Sequence, residues 1–455
     1  MSNIMYNYIS SIPFSKMFNW SVQYAYEIEH LYNNEYKCLL IGNFLTRVKD
    51  AVEIEDNKNY KRVSIKLYNG GIALRDIERG INIGTKKQFK IKQGHFLLSK
   101  IDARNGAIGI VPETCDNAII TGNFWDFEIN TNIIEPQFLT LLTTTKYFTK
   151  LFNRASNGTT NRHYLQEDLF LNMEIPLPPI EKQREIVEKY NAKIKLAEEQ
   201  EQKANDLEKN IEKYIFEMLG LKISKNSECA KLQFVNFMNI KLWGIDKISG
   251  NNAFSSSKYK LCSLADNRNL YLDAFRGKSP KYEDNTNSII LNQKCNRWNS
   301  IDLQYAKTVS EAWLNSIDGN FKTKGNDIIV NSTGEGTIGR ATCIDDDHTG
   351  LLYDSHMLLL RLNTELVNPL YYTYLLNSSF GQEQINYIKS AQSTKQTELG
   401  IDNLKLIKFP YPGIDTQNEI VEHIKELNNN IKHLRKQTEQ NKMEAQKEFE
   451  KELFE

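Results

Sequence analysis

Pro176-Leu177-Pro178-Pro179-Ile180, followed by Gln183, Glu185, Ile186 and Val187, returns as Pro410-Tyr411-Pro412-Gly413-Ile414, followed by Gln417, Glu419, Ile420 and Val421. The offset is 234 residues at every one of these positions. Each copy opens a charged stretch of about 40 residues rich in helix formers. Two copies of a domain followed by a long helix suit a molecule that grips something twice better than one that catalyses once.

Outward from the proline turns the match persists. Trp20 and Tyr36-Lys37 recur as Trp243 and Tyr259-Lys260, at an offset of 223. Gly106-Ala107-Ile108-Gly109 recurs as Gly336-Thr337-Ile338-Gly339, at 230, and Thr159-Thr160 with Leu165 as Ser393-Thr394 with Leu399, at 234. An offset that drifts by 11 residues across one copy is what loop insertions between two versions of one fold produce.

The globular halves read as mixed α/β (α+β). Phe96–Lys100, Asp327–Asn331, Ala118–Thr121 and Met357–Leu362 are expected as strands, and Pro136–Leu142 and Pro369–Leu376 as helices with proline in the first turn. In the second charged stretch Ile420, Ile424, Leu427, Ile431, Leu434 and Thr438 step by four and three, a heptad seam. In the first, Val187, Tyr190, Ile194 and Ala197 start a seam that Ala204, Leu207, Ile211, Tyr214 and Met218 continue after a phase slip near Gln200. Neither seam is strongly apolar, so each helix is expected to pair with the other. The expected order is a domain at 1–178, a helix at 179–220, a domain at 221–412 and a helix at 413–455.

At 455 residues and 40% hydrophobic content the chain can hold two or three full domains. It has no apolar run of membrane-spanning length, and Met1–Trp20 lacks a secretion-signal pattern. Six scattered cysteines without a Cys-x-x-Cys pair fit reduced thiols and a cytoplasmic location. The formal charge of zero hides a partition: residues 180–220 carry ten acids and eight bases, and residues 415–455 ten acids and seven bases. The helical stretches therefore sum to −5, leaving +5 elsewhere, which permits a basic face on the globular parts.

Gly334-Glu335-Gly336-Thr337-Ile338-Gly339 matches G-x-G-x-x-G, but a second strand rather than a helix is expected after it. As a phosphate loop it fails too, because Arg340-Ala341 stands where Lys and Ser or Thr are required. Asp354 and His356 lack a third metal ligand at a useful spacing. No catalytic, metal or cofactor site is expected. What remains are polar turns at matching places in the two halves, suited to phosphates and base edges. In the first half they comprise Lys100, Arg104, Asn105, Asn157, Thr159, Thr160, Asn161, Arg162 and His163. In the second they comprise Ser332, Thr333, Arg340, Ser393, Thr394, Lys395 and Gln396, and Asn296-Arg297-Trp298 adds a cation beside an aromatic.

The domain end Gly158-Thr159-Thr160 with Leu165, then Ile175-Pro176-Leu177-Pro178-Pro179-Ile180-Glu181-Lys182-Gln183-Arg184-Glu185-Ile186-Val187 and a long helix, with a related version of each in the second half, resembles the specificity subunit of Type I restriction–modification systems. The second turn, Phe409-Pro410-Tyr411-Pro412-Gly413-Ile414-Asp415, departs from the usual Leu-Pro-Pro form. The resemblance implies a non-catalytic reader with two target recognition domains, each binding half of a split double-stranded DNA target. The helices would pair as an antiparallel coiled coil, with Val187, Ile194, Leu207, Ile211, Met218, Ile420, Ile424, Leu427, Ile431 and Leu434 in the seam. They would set the half-site spacing and dock modification (methyltransferase) subunits, expected to number two and to carry S-adenosylmethionine, with restriction subunits joining them. The alternative is a coiled-coil scaffold that binds proteins and reads no DNA.

Overall fold

Antiparallel sheets of one topology recur in both halves of the computed structural model, which describes residues 36–154, 156–157, 164–223, 254–334, 336–391 and 397–454. The chain divides into two compact units, Met1–Glu201 with Arg435–Glu455, and Gln202–Leu434. Each unit therefore holds a sheet domain and part of both long helices. Trp20 and Trp243 lie outside the described residues.

In the first unit a four-stranded sheet runs in the order Leu45–Val48, Phe124–Ile129, Phe96–Ser99, Ile108–Ile110. In the second, Tyr271–Arg276, Met357–Leu362, Ile328–Asn331 and Ala341–Cys343 take the same order. The expected strands are all present, with ends shifted by a residue or two. Phe96, Leu97 and Leu98, like Ile328, Ile329 and Val330, are fully buried, which is why these strands read as unbroken apolar runs rather than alternating ones. The helices Pro136–Thr143 and Pro369–Asn377 follow, each with its proline in the first turn.

A second sheet distinguishes the units. The first has five strands in the order Asp50–Glu53, Lys87–Lys90, Ile119–Ile120, Asn59–Ile65, Ile72–Arg79. The second keeps a parallel pair, Ile289–Leu291 beside Leu352–Tyr353, and among the described residues adds Lys307–Thr308 on the far side of Ile289–Leu291.

The long helices are Ile180–Leu219 and Ile414–Phe454. Gly220, at φ +64°, ends the first: its N–H donates to Glu217 O and that of Leu221 to Phe216 O, a Schellman closure. Pairing is antiparallel. In the first unit Lys193 binds Glu448 and Glu444 (2.6 and 3.3 Å), while Gln200 meets Asn441 and Gln437 (2.8 and 3.4 Å), so rising numbers on one helix meet falling numbers on the other. The Thr438 hydroxyl donates to Ala197 O at 3.3 Å, an approach that small residues permit.

Of the expected seam, Val187, Ile420, Ile424 and Ile431 are buried, and Ile194, Leu207, Ile211, Met218, Leu427 and Leu434 are half-buried. The deepest positions also include Ile186, Ile215, Leu219, Ala445, Phe449 and Leu453. Near its end the first helix turns Ile215 and Leu219 inward where Tyr214 and Met218 were expected, because the sheet domain of that unit, and not only the other helix, covers this face. Likewise Phe449 and Leu453 enter the core of the first unit, with the Phe138 and Phe449 rings 5.6 Å apart.

The repeated glutamine explains the repeated turn. Gln183 is fully buried; its amide donates to Ile133 O and Pro178 O (3.0 and 2.8 Å) and accepts from Glu135 N–H (2.9 Å). Gln417 repeats this with Leu366 O, Pro412 O and Asn368 N–H at 3.1, 3.0 and 2.8 Å. Replacing either by leucine leaves one buried donor and two carbonyls unpaired, a cost of about 2–4 kcal/mol. Urea unfolding should show it for Gln183→Leu and Gln417→Leu alike; loss below about 0.5 kcal/mol would mean the clasp does not hold the joint.

Candidate nucleic-acid interface

The neutral chain has a strongly basic stretch. Residues 57–100 carry eleven bases (Lys58, Lys61, Arg62, Lys66, Arg75, Arg79, Lys86, Lys87, Lys90, Lys92 and Lys100) against only Asp76 and Glu78. Arg62 holds both acids, at 2.7 Å from Asp76 and 3.1 Å from Glu78. Lys58 and Lys86 are held by Glu55 and Asp56. Lys66, Arg79, Lys87 and Lys90 are exposed and form no ion pair among the described residues, so their charge is open to a polyanion.

The hairpin Asn59–Ile65 and Ile72–Arg79 carries its tip against the first glycine turn. Tyr68 N–H donates to Asn105 O at 2.8 Å and Asn69 N–H to Gly106 O at 2.9 Å. Gly106 sits at φ +74°, and a Cβ there would stand 2.6 Å from Asn69 N, so only glycine admits this contact. Asn105 is exposed, and its side chain is turned to Asp102 at 3.3 Å. Arg104 lies on the same turn and is half-buried.

Lys100 is half-buried, with Nζ 5.8 Å from the Tyr164 ring. Its carbonyl accepts from Leu165 N–H at 2.9 Å, and Ser332 O accepts from Leu399 N–H at 2.8 Å in the second unit. These equivalent bonds anchor two short ladders, Ser156–Asn157 with Tyr164–Leu165, and Ser390–Ala391 with Thr397–Glu398. The backbone of Asn157 belongs to the first ladder. Thr159, Thr160, Asn161, Arg162, His163, Ser393, Thr394, Lys395 and Gln396 lie outside the described residues.

In the second unit Arg297 stacks over the Tyr305 ring at 4.5 Å and Arg340 over Trp298 at 5.6 Å. Both arginines are half-buried. The hairpin of Arg297 is pinned to the strand beside Arg340 by Asn296, which is fully buried and donates to Ile329 O, Asn331 Oδ1 and Arg340 O. Two expected contacts need correction. Ser332 and Thr333 are buried, with Thr333 Oγ1 2.9 Å from His356 Nδ1, so they belong to the frame beneath the turn and present no side chain to a ligand. Asp354 accepts from His356 N–H at 3.0 Å, and burial pushes its carboxyl up from the usual range. After Gly339 the chain forms the strand Ala341–Cys343 rather than the helix a dinucleotide fold requires.

Beneath these surfaces the two frames use different polar pairs. His95 Nδ1 lies 2.8 Å from the buried Asp126, whose carboxyl burial pushes up while His95 and Arg47 pull it down. In the second unit Arg361 grips the buried Asp327 with two bonds of 2.8 and 2.7 Å, which raises the guanidinium further above its usual range. Sequence reasoning overlooked Tyr68, the aromatic just before Asn69-Gly70-Gly71, which is 86% exposed at a tip and has no folding reason to be there. No helix among the described residues is long and apolar enough to cross a membrane.

The chain is similar to a type I restriction enzyme MjaVIII specificity subunit from Methanocaldococcus jannaschii, 24% identical over 200 residues, which are 39% of this chain and 46% of that one. It is 30% identical over 102 residues to the MjaX specificity subunit of the same organism, covering 22% of this chain and 24% of that one. The chain thus matches less than half the length of these relatives. A chain from a solved type I R-M system, described for its complex assembly and conformational transition, shares the fold at a TM-score of 0.59 and 15% identity, over 92% of this chain and 96% of that one. The model of the Type I restriction modification DNA specificity domain matches twice, at residues 42–209 and 276–444. With two copies of that domain across most of its length, this chain belongs to the type I specificity family.

Proposed function

We propose that the chain is the sequence-reading subunit of a type I restriction–modification complex, each sheet domain reading one half of a split duplex target. The observation that carries this reading is the twice-matched specificity domain, each copy built on the same four-stranded frame and glutamine clasp. The basic stretch at 57–100 and the cation–aromatic pairs at Arg297 and Arg340 supply charge and stacking surface. The long helices dock modification subunits, which bring S-adenosylmethionine and the chemistry, and restriction subunits join that assembly. The helix length sets the spacing of the half-sites. This chain binds and orients the DNA, and the bond-making steps belong to its partners.

The reading is tested with the chain assembled with its modification subunits. One bipartite duplex should bind at least about a hundredfold tighter than scrambled DNA, and changing the spacer by one base pair should abolish the preference. Equal affinity for every duplex at moderate salt overturns it. Lys66→Ala and Lys100→Ala should each weaken binding to all duplexes alike and reduce the slope of log K against log salt by about one. Unchanged slopes would remove both lysines from the phosphate contacts.

A further inference from the structure

The two units share a feature outside the family-matching turns. Tyr68-Asn69 in the first and Trp298-Asn299 in the second are related by an offset of 230, the same offset that relates Gly106 to Gly336. Each dipeptide forms the tip of a hairpin, between Asn59–Ile65 and Ile72–Arg79, or between Asn296–Arg297 and Ser300–Ile301. In each, the asparagine takes a left-handed conformation, φ +58° at Asn69 and +60° at Asn299. Asparagine tolerates this region better than most residues. In each, its N–H donates across to the neighbouring turn or strand, from Asn69 to Gly106 O at 2.9 Å and from Asn299 to Ala341 O at 3.3 Å. The aromatic beside it is pushed outward, Tyr68 86% exposed and Trp298 45% exposed.

A large ring held in water by a braced tip contributes little to folding. Both rings stand among cations. Lys66 is two residues from Tyr68, in a stretch with nine more bases than acids, and the Arg340 guanidinium lies 5.6 Å from the Trp298 ring. A flat ring beside phosphate-binding charge is suited to a nucleobase, either stacked on an unpaired base or wedged into a base step. Bracing the tip before binding removes part of the ordering cost.

We infer that Tyr68 and Trp298 are matched base-contacting probes, one for each half of the DNA target. This rests on the proposed DNA-reading function. Each ring touches bases within its own half-site, while the surrounding lysines and arginines contact phosphates.

The test uses the full complex with its modification subunits and cognate duplexes carrying 2-aminopurine at successive positions of either half-site. Tyr68→Ala and Trp298→Ala should each lower cognate affinity at least about tenfold, and each should abolish the fluorescence change in a different half-site. Tyr68→Phe and Trp298→Tyr should keep most of both signals. Gly106→Ala, whose Cβ meets Asn69 N at 2.6 Å, should displace the first tip and reproduce Tyr68→Ala while sparing the other half-site. Assembly with the modification subunits and the melting temperature serve as folding controls. Alanine variants that assemble normally and bind like the parent overturn the inference, as do variants that weaken all duplexes alike. If the parent complex itself shows no sequence preference, the underlying reading fails instead.

Discussion

The structure depends on a buried glutamine amide at the start of each long helix. Gln183 bonds back to its own turn at Pro178 O and sideways to Ile133 O and Glu135 N–H, and Gln417 does the same with Pro412, Leu366 and Asn368. The helix cannot pivot about its proline turn without leaving these groups unpaired in a dry site. The strand pairs Cys38–Leu40 with Glu174–Pro176, and Leu261–Ser263 with Lys408–Pro410, lead the chain into the two joints. Direction of the helix is thereby tied to the sheet domain.

Each sheet domain also takes part of its core from the far end of the other copy's helix. Phe449 and Leu453 join the first domain's core, and Ile215 and Leu219 the second's. The contact of Phe449 with Phe138 joins distant ends of the chain, so forming the first core entails a loop-closure cost and couples the second long helix to its folding. Within the first unit the paired face is sparse, with Ala197 against Thr438 and polar bonds from Gln200 beside them.

The two frames keep backbone geometry while changing their buried chemistry. A histidine–aspartate contact between His95 and Asp126 in one unit gives way to the Arg361–Asp327 ion pair in the other. A buried charge needs a partner of fitting shape but not a particular one. The frame can therefore drift in composition, and the surface hairpins can diverge further still. Tyr68 and Trp298 are a case of this divergence, different rings on hairpins of different length, one tip braced on Gly106 O and the other on Ala341 O.

Duplication, the strands Phe96–Ser99 and Ile328–Asn331, the proline-led helices and the long charged helices were all legible in the sequence. Local periodicity and repeated turn chemistry encode them directly. The seam was legible in outline, since Ile420, Ile424 and Ile431 follow a heptad, but its inward face near Ile215 and Leu219 depends on what the sheet domain covers. For the candidate interface, Ser332 and Thr333 look like any polar loop pair until burial removes them from the surface. Tyr68 looks like an ordinary hairpin aromatic until its exposure and bracing are seen. The sequence by itself determined that there are two copies of a domain and a helix, because each copy carries its own local signals. Only tertiary structure decided which side chains are left in water, because exposure is set by segments distant in sequence, from His356 beside Thr333 to Phe449 beside Phe138.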